Sequence, residues 1–317
     1  MAFTCRPARR ADLSDCTLVW YSAVDDYMAR LGRPLPSPRL DPLLALMDHM
    51  LLTDPERFLV ATRPAPAGAP TGRAELVVGF GIAARREHVW FLSQLYVLPS
   101  EQNHGIGRAL LTRLMPPIHA AEPDVNPAAL VLATCTDTVQ PSSTGLYSRF
   151  GMVPRVPILN LVGTPGVRSQ FAPLPAGVHA VALLGPEAAA AVDAIDRATL
   201  GYAHQPDHAY LRASGRTGFV YISADGTPLG YGYSSEAGRF GPVAVLDEAL
   251  TESVLGHLTT AIMPRGATTV WVPGDNEKAM LALLRAGLRV EGFPAMIAWT
   301  QPFAAFDRYI PAGLALL

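Results

Sequence analysis

Residues 91–115, FLSQLYVLPSEQNHGIGRALLTRLM, restrict the fold more than any other part of the chain. They read as a strand, a short polar loop and a helix, in that order. Residues 91–98 are apolar or aromatic almost throughout, the pattern of a strand buried on both faces, and Pro99 ends it. Further on, Ile106, Leu110, Leu111 and Leu114 fall on one stripe of a helix that Pro116 and Pro117 stop. Between strand and helix lie Gln102, Asn103, His104, Gly105, Ile106 and Gly107. The first N–H groups of a helix have no partner within it, and the aligned peptide dipoles add partial positive charge there. An anion, above all a pyrophosphate, can rest on those donors where no Cβ blocks its approach. Gly105 and Gly107 leave the approach open, and glycine accepts the angles that turn successive N–H groups inward. The loop is therefore a candidate phosphate cradle. It is not a Walker loop, because Arg108 and Ala109 stand where Lys and Ser or Thr are needed. Nor is it a dinucleotide fingerprint, which needs a third glycine.

With Leu95, Val97 and Pro99 closing the strand and Gln102, Gly105 and Gly107 opening the helix, the stretch resembles motif A of the GNAT superfamily of N-acetyltransferases. That resemblance implies acetyl-CoA, or a related acyl-CoA, lying in a V-shaped gap between the fourth and fifth strands. Its pyrophosphate would rest on the backbone from Gln102 through Asn103, His104, Gly105, Ile106 and Gly107 to Arg108. Backbone groups of Leu95 and Val97 would bind the pantetheine arm as an added strand does. An N–H near Tyr96 or Val97 would polarise the thioester carbonyl. Ser143, near the start of the fourth helix, is a further cofactor contact. Residues 146–152, Leu-Tyr followed by three residues and Gly-Met, resemble the end of that helix in the family. The resemblance makes Tyr147 the general acid that protonates the departing thiolate. Where many members carry a Glu on strand four, this chain has Ser93, which could relay a proton through water. Asp26, Glu87, Asp137 and His88 are other bases. Tyr21, Asp25 and Asp26, on the first helix, are candidates for contacting the amine. The implied reaction is direct attack of a small-molecule primary amine on acetyl-CoA; the alternative is an acyl-CoA sensor without turnover.

A chain of 317 residues, half of them hydrophobic, suits two domains with ample cores. A net charge of −2 argues against a nucleic-acid partner. Cys5, Cys16 and Cys135 form neither a disulfide framework nor a zinc spacing. The N-terminus has no apolar signal region and no run is long enough to span a bilayer, so a cytoplasmic protein without membrane attachment, monomer or homodimer, is expected. Lys278 is the single lysine, and with so much Ala, Pro and Gly the composition suggests a GC-rich bacterial genome. No metal site is expected. His104, His119, His204 and His208 lack a helical ligand pattern, and Pro206 argues against pairing the last two on a helix.

Strands are expected at 3–6, 58–62, 75–83, 91–98 and 129–134, with helices from Asp12 and over 40–52. A hairpin connection at 63–73 and a Pro- and Ala-rich loop at 116–127 join them. The second half then repeats the first. Leu95 and Val97 fall on Val243 and Val245, Leu110 and Leu114 on Leu258 and Ile262, Gly79-Phe80-Gly81 on Gly230-Tyr231-Gly232, and Gly151 on Gly287. At the cradle, Gln102, Gly105 and Gly107 become Leu250, Ser253 and Leu255, and Tyr147 becomes Leu283. The expected fold class is α/β (α+β). Two tandem GNAT folds, each a mixed, mostly antiparallel twisted sheet flanked by helices, would occupy residues 1–165 (catalytic) and 166–317 (degenerate). The linker lies within 163–177, and the tail 303–317 adds a closing strand to the second copy.

Overall fold

The computed structural model describes residues 3–33, 35, 40–65, 74–116, 130–165 and 171–317. The centres of the hairpin connection and of the linker, most of the loop at 116–127, and His119 lie outside the described residues. Two compact units emerge: residues 1–85 with 90–130, and residues 86–89 with 131–317.

The first unit is built from β1 (Thr4–Pro7), α1 (Leu13–Arg30), α2 (Asp41–Thr53), β2 (Phe58–Pro64), β3 (Glu75–Arg86), β4 (Val89–Val97) and α3 (Ile106–Leu114). Its strands run in the order β1-β2-β3-β4, with β1 and β3 antiparallel to β2. Asp12 starts α1. Its carboxylate accepts the backbone N–H of Arg9 at 2.7 Å and both terminal nitrogens of Arg6, at 2.7 and 3.0 Å. Arg6 also donates to Glu75 on β3 at 2.6 Å, so one guanidinium ties β1, β3 and the start of α1 together. The predicted stripe of α3 is the buried one: Ile106, Leu110, Leu111 and Leu114 are all within 4 % exposure.

Two glycines on β3 let α3 lie against the sheet. A Cβ on Gly79 would meet Tyr96 O at 3.0 Å, Val97 Cγ2 at 3.2 Å and Ile106 Cγ2 at 3.3 Å. One on Gly81 would meet Leu114 Cδ1 at 2.6 Å.

The second unit contributes β5 (Val131–Asp137), α4 (Pro141–Ser148), β6 (Val153–Gly163), β7 (His179–Ala182), α5 (Gly185–Thr199), α6 (Gln205–Ala213), β8 (Thr217–Ile222) and β9 (Pro228–Ser234). It continues with β10 (Val243–Val245), α7 (Thr251–Ala261), β11 (Thr268–Pro273), α8 (Glu277–Arg285), β12 (Arg289–Val290), β13 (Ala295–Trp299) and β14 (Tyr309–Ile310). One sheet runs β14-β10-β9-β8-β7, and the tail supplies its closing strand through pairing of Val243 with Ile310.

The remaining strands cross the repeats. β13 inserts between β5 and β6, pairing Ile297 with Cys135 on one side and with Val156 on the other. β6 in turn pairs with β11, Val270 against Leu161. Each repeat's last long strand therefore lies beside the fifth strand of the other repeat. This is why the compact units divide near residue 130 while the sequence repeat divides near 165. Leu161 belongs to the same buried cluster as Val254, Leu258, Val270 and Leu283. Among the described residues no helix is long and apolar enough to cross a membrane.

Candidate functional site

The loop from β4 to α3 is shaped by two left-handed residues, Asn103 at φ 64° and Gly105 at φ 82°. Gly105 is the N-cap of α3, and no side chain caps the helix. A Cβ placed on Gly105 would meet nothing within 4 Å, so the space in front of the first amides is open. Gln102 folds back and donates to Val97 O at 3.1 Å, fixing the loop to the end of β4. Asn103, His104, Gly105 and Arg108 are exposed, while Ile106 is buried and anchors the turn. Uncapped N–H groups at a helix start, reachable and without Cβ cover, fit the diphosphate of a coenzyme.

On β4, Leu95 and Val97 lean toward α3, since they are what added carbons on Gly81 and Gly79 would meet. Tyr96 points to the other face, its ring 6.3 Å edge-on from Trp20 of α1 and 5.7 Å from Phe80. Ser93 is buried, and so is Gln94, whose Oε1 has no hydrogen-bond partner among the described residues. Sequence reasoning passed over Gln94. A polar pair inside the apolar run FLSQLYV was the signal.

The α1 residues named from sequence are partly occupied elsewhere. Asp25 accepts the backbone N–H of Leu35 at 3.2 Å, and Asp26 pairs with Arg30 at 2.9 Å. Tyr21 is half-buried. On α1, the ring of Trp20 meets Tyr96 of β4.

Tyr147 sits in the last turn of α4 at 6 % exposure, and Ser143 lies a turn earlier, half-buried. Gly151, at φ 84°, ends that helix by letting the N–H of Met152 return to Tyr147 O at 3.2 Å. The repeat ends α8 in the same way through Gly287, at φ 95°, with Leu288 N–H bonded to Leu283 O at 3.1 Å. Leu283 thus occupies the place of Tyr147, as the sequence pairing has it. Glu87 is engaged by Arg197 at 2.7 Å within the second unit.

The second copy of the cradle is closed, though by other residues than a gapless pairing names. Residues 98–105 separate β4 from α3, but only 246–250 separate β10 from α7. The helix therefore starts earlier, and Leu258, not Ile262, lies where Leu114 does: a Cβ on Gly232 would meet Leu258 Cδ1 at 2.7 Å. The N-cap corresponding to Gly105 is Leu250, at φ −82°, and not Ser253, which lies inside the helix. Just before it, the Asp247 carboxylate accepts the N–H of Ala249 at 2.9 Å. A negative side chain there repels a phosphate by like charge.

A second polar centre lies inside the second unit, where the sequence predicts no site. Asp196 on α5 is fully buried. Its Oδ2 is 2.8 Å from His208 Nε2 and 3.2 Å from His204 Nε2, and its Oδ1 accepts the Tyr231 hydroxyl at 2.6 Å. His208 Nδ1 is 3.1 Å from the Tyr233 hydroxyl. Asp207, 3.7 Å from His204 Nδ1, is held by two bonds of 2.8 Å from Arg86. Pro206 does not keep the two histidines apart. His204 is the N-cap of α6 and Pro206 lies in its first turn, where a missing N–H costs nothing.

Burial drives the Asp196 carboxyl up, but His204 and His208 outweigh it and hold it at about 2. For His204, burial favours the neutral ring, yet the two carboxylates prevail and raise it to about 9. His208 is lowered, by burial first and by His204 second.

Residues 20–152 match the model of the acetyltransferase (GNAT) family. Among curated proteins no match was found. A protein of Pyrococcus horikoshii, classed provisionally as an acetyltransferase, superposes with a TM-score of 0.72 at 17% identity, over 99% of this chain and 96% of its own. A GCN5-related N-acetyltransferase from Sphaerobacter thermophilus gives 0.59 at 16% identity, covering 96% and 98%. A tandem GNAT protein from the clavulanic acid biosynthesis pathway gives 0.53 at 16% identity, covering 95% and 99%. At such identities these likenesses show the fold alone, the GNAT fold in a chain with two repeats.

Proposed function

We propose that the GNAT acetyltransferase domain found within residues 20–152 moves the acetyl group of acetyl-CoA to a primary amine of a small molecule, using the amino-terminal cradle alone. The observation that carries this reading is the contrast between the two helix starts. At α3 the cap is a left-handed glycine with empty space before it; at α7 it is a buried leucine preceded by a carboxylate that takes up the nearby amide. An anionic coenzyme is attracted to the first and repelled by the second.

In the proposed reaction the amine nitrogen bonds to the thioester carbonyl carbon and the C–S bond breaks. The thiolate takes a proton from the Tyr147 hydroxyl, and the amine's surplus proton leaves through water. Backbone groups of Leu95, Tyr96 and Val97 hold the arm and the carbonyl; residues from Gln102 to Arg108, with Ser143, hold the diphosphate end. Ser93 or Gln94, whose Oε1 has no hydrogen-bond partner among the described residues, would hold the accepting water. The half-buried Tyr21 and the carboxylates of Asp25 and Asp26 remain candidates for the amine, although both carboxylates already have a protein partner.

Titrating the protein with acetyl-CoA by calorimetry, then following CoA release across a panel of amines, tests both parts. One equivalent bound and amine-dependent release are expected. Binding without release on any amine would favour the sensor reading, for which Ser93 in place of a carboxylate speaks. No binding would remove both.

A further inference from the structure

The cluster around Asp196 has the arrangement of a cation site. Three ligand atoms, Asp196 Oδ2, His204 Nε2 and His208 Nε2, face one another, and one ligand atom from each residue can be chosen so that all lie within 4.8 Å of each other. Two of the three outward-facing atoms are steadied from behind: Asp196 Oδ1 by the Tyr231 hydroxyl, His208 Nδ1 by the Tyr233 hydroxyl. His204 Nδ1 faces Asp207, which Arg86 grips with two bonds. A carboxylate or hydroxyl behind each ligating imidazole is how protein metal sites set the tautomer and leave the inner nitrogen's lone pair free.

What a purely hydrogen-bonded reading leaves unexplained is His204. It is 1 % exposed, and neither ring nitrogen has a well-directed hydrogen bond, although Nε2 lies 3.2 Å from Asp196 Oδ2. A buried imidazole left so is unfavourable unless another partner completes it. Nearby, the Tyr309 hydroxyl is also buried and without a hydrogen-bond partner.

We propose that Asp196, His204 and His208 bind one divalent cation of the zinc class, which fastens α5 and α6 to β9 in the second repeat. Two imidazoles and one carboxylate are a donor set that zinc takes, with metal–ligand distances of about 2.0–2.2 Å. Tetrahedral placement at those lengths separates the donors by roughly 3.3–3.5 Å, against 2.8 and 3.2 Å here. The pocket need open by roughly 0.5–0.7 Å on the His208 side. The fourth position falls to water. Nothing in this proposal draws on the acetyl-transfer reading, which concerns the other repeat.

The test uses the full chain without a histidine tag, stripped with a chelator and then given Zn2+ or Co2+. Elemental analysis after gel filtration should find one equivalent of zinc. The cobalt form should show the visible d–d bands of a low-coordinate site, and zinc should raise the midpoint of thermal unfolding. H204Q should lose stoichiometric binding. Y231F, which removes only the support behind Asp196, should weaken affinity about 10–100-fold while keeping the far-ultraviolet spectrum. The proposal is overturned if stripped protein takes up no metal and chelator leaves the midpoint unchanged. It is overturned equally if H204Q and Y231F bind metal as the parent does, which would put the ion on the surface.

Discussion

Single residues carry the sharpest tests. At Gly105 two effects of adding a side chain must be separated, because the left-handed backbone is strained by any Cβ and the cradle is blocked only by one placed there. Gly215 has nearly the same backbone, φ 85°, and also has open space around it. Gly105→Val and Gly215→Val should therefore lose similar stability, of order 1 kcal/mol or somewhat more for a β-branched residue. Only Gly105→Val should weaken acetyl-CoA binding, by tenfold or more in calorimetric Kd; equal affinity in the two variants would remove the cradle. Tyr147→Phe should lower kcat by about 100-fold or more with little change in the Kd for acetyl-CoA, as removal of a proton donor does.

Arg6 offers a pH test. Burial pushes the Asp12 carboxyl up, but Arg6 and the Arg9 backbone outweigh it and hold it low, while Arg6 lowers Glu75. Carboxyls depressed in the folded state add stability that is complete above their unfolded values, about 4, and is lost as pH falls through the folded ones. Thermal midpoints should then fall more steeply below about pH 4 in the parent than in Arg6→Gln. Parallel curves would show the network to be without weight. The open turn at Gly105 and the helix end after Tyr147 were legible in the sequence because both depend on local backbone pattern. Gln94 and the trio Asp196, His204 and His208 were not: burial and convergence come from tertiary packing, and Pro206 looked like an obstacle until it was seen in the first turn of α6.

At the scale of elements, the strand–loop–helix of residues 91–115 formed as the pattern indicates, and so did the two Gly-x-Gly strands. Those glycines are a packing device repeated in both copies, in which the first glycine of each pair faces a strand carbonyl and the second a leucine methyl. A Cβ on Gly81 would meet the Leu114 Cδ1 methyl at 2.6 Å, whereas one on Gly230 would meet the backbone carbonyl of Ala244 at 2.6 Å. A leucine methyl can turn aside; a strand backbone cannot. Gly230→Ala should therefore destabilise the protein more than Gly81→Ala, the latter by about 1–3 kcal/mol as overpacking commonly costs. Chemical denaturation of the two variants side by side measures the order, and the reverse order would mean that β10 yields more easily than α3. The shortened loop before α7 was invisible to a gapless pairing of the repeats. A slip of about one helical turn keeps apolar residues on the same stripe, so Leu110 and Leu114 match Leu258 equally well by pattern.

At the scale of the whole molecule, the repeat was legible and the path of its strands was not. Pattern places a boundary where the linker residues cluster; it cannot tell which repeat a strand will pair with, since β6 and β13 bury apolar side chains either way. The structure sends β13 between β5 and β6, and β6 on to β11. A fragment of residues 1–165 therefore contains β5 and β6 without the strand that bonds to both, and leaves β5 with one open edge and β6 with two. The complementary fragment, 166–317, has β11 and β13 without β6. Unpaired apolar edges seek another strand, so each fragment expressed alone should be insoluble or self-associated. Co-expression should restore a soluble one-to-one complex, because the missing strand is then supplied in trans. Size-exclusion chromatography with light scattering decides it. If residues 1–165 alone ran as a folded monomer that bound acetyl-CoA as the full chain does, β13 would be dispensable, and the repeats would be independent domains merely joined by a linker.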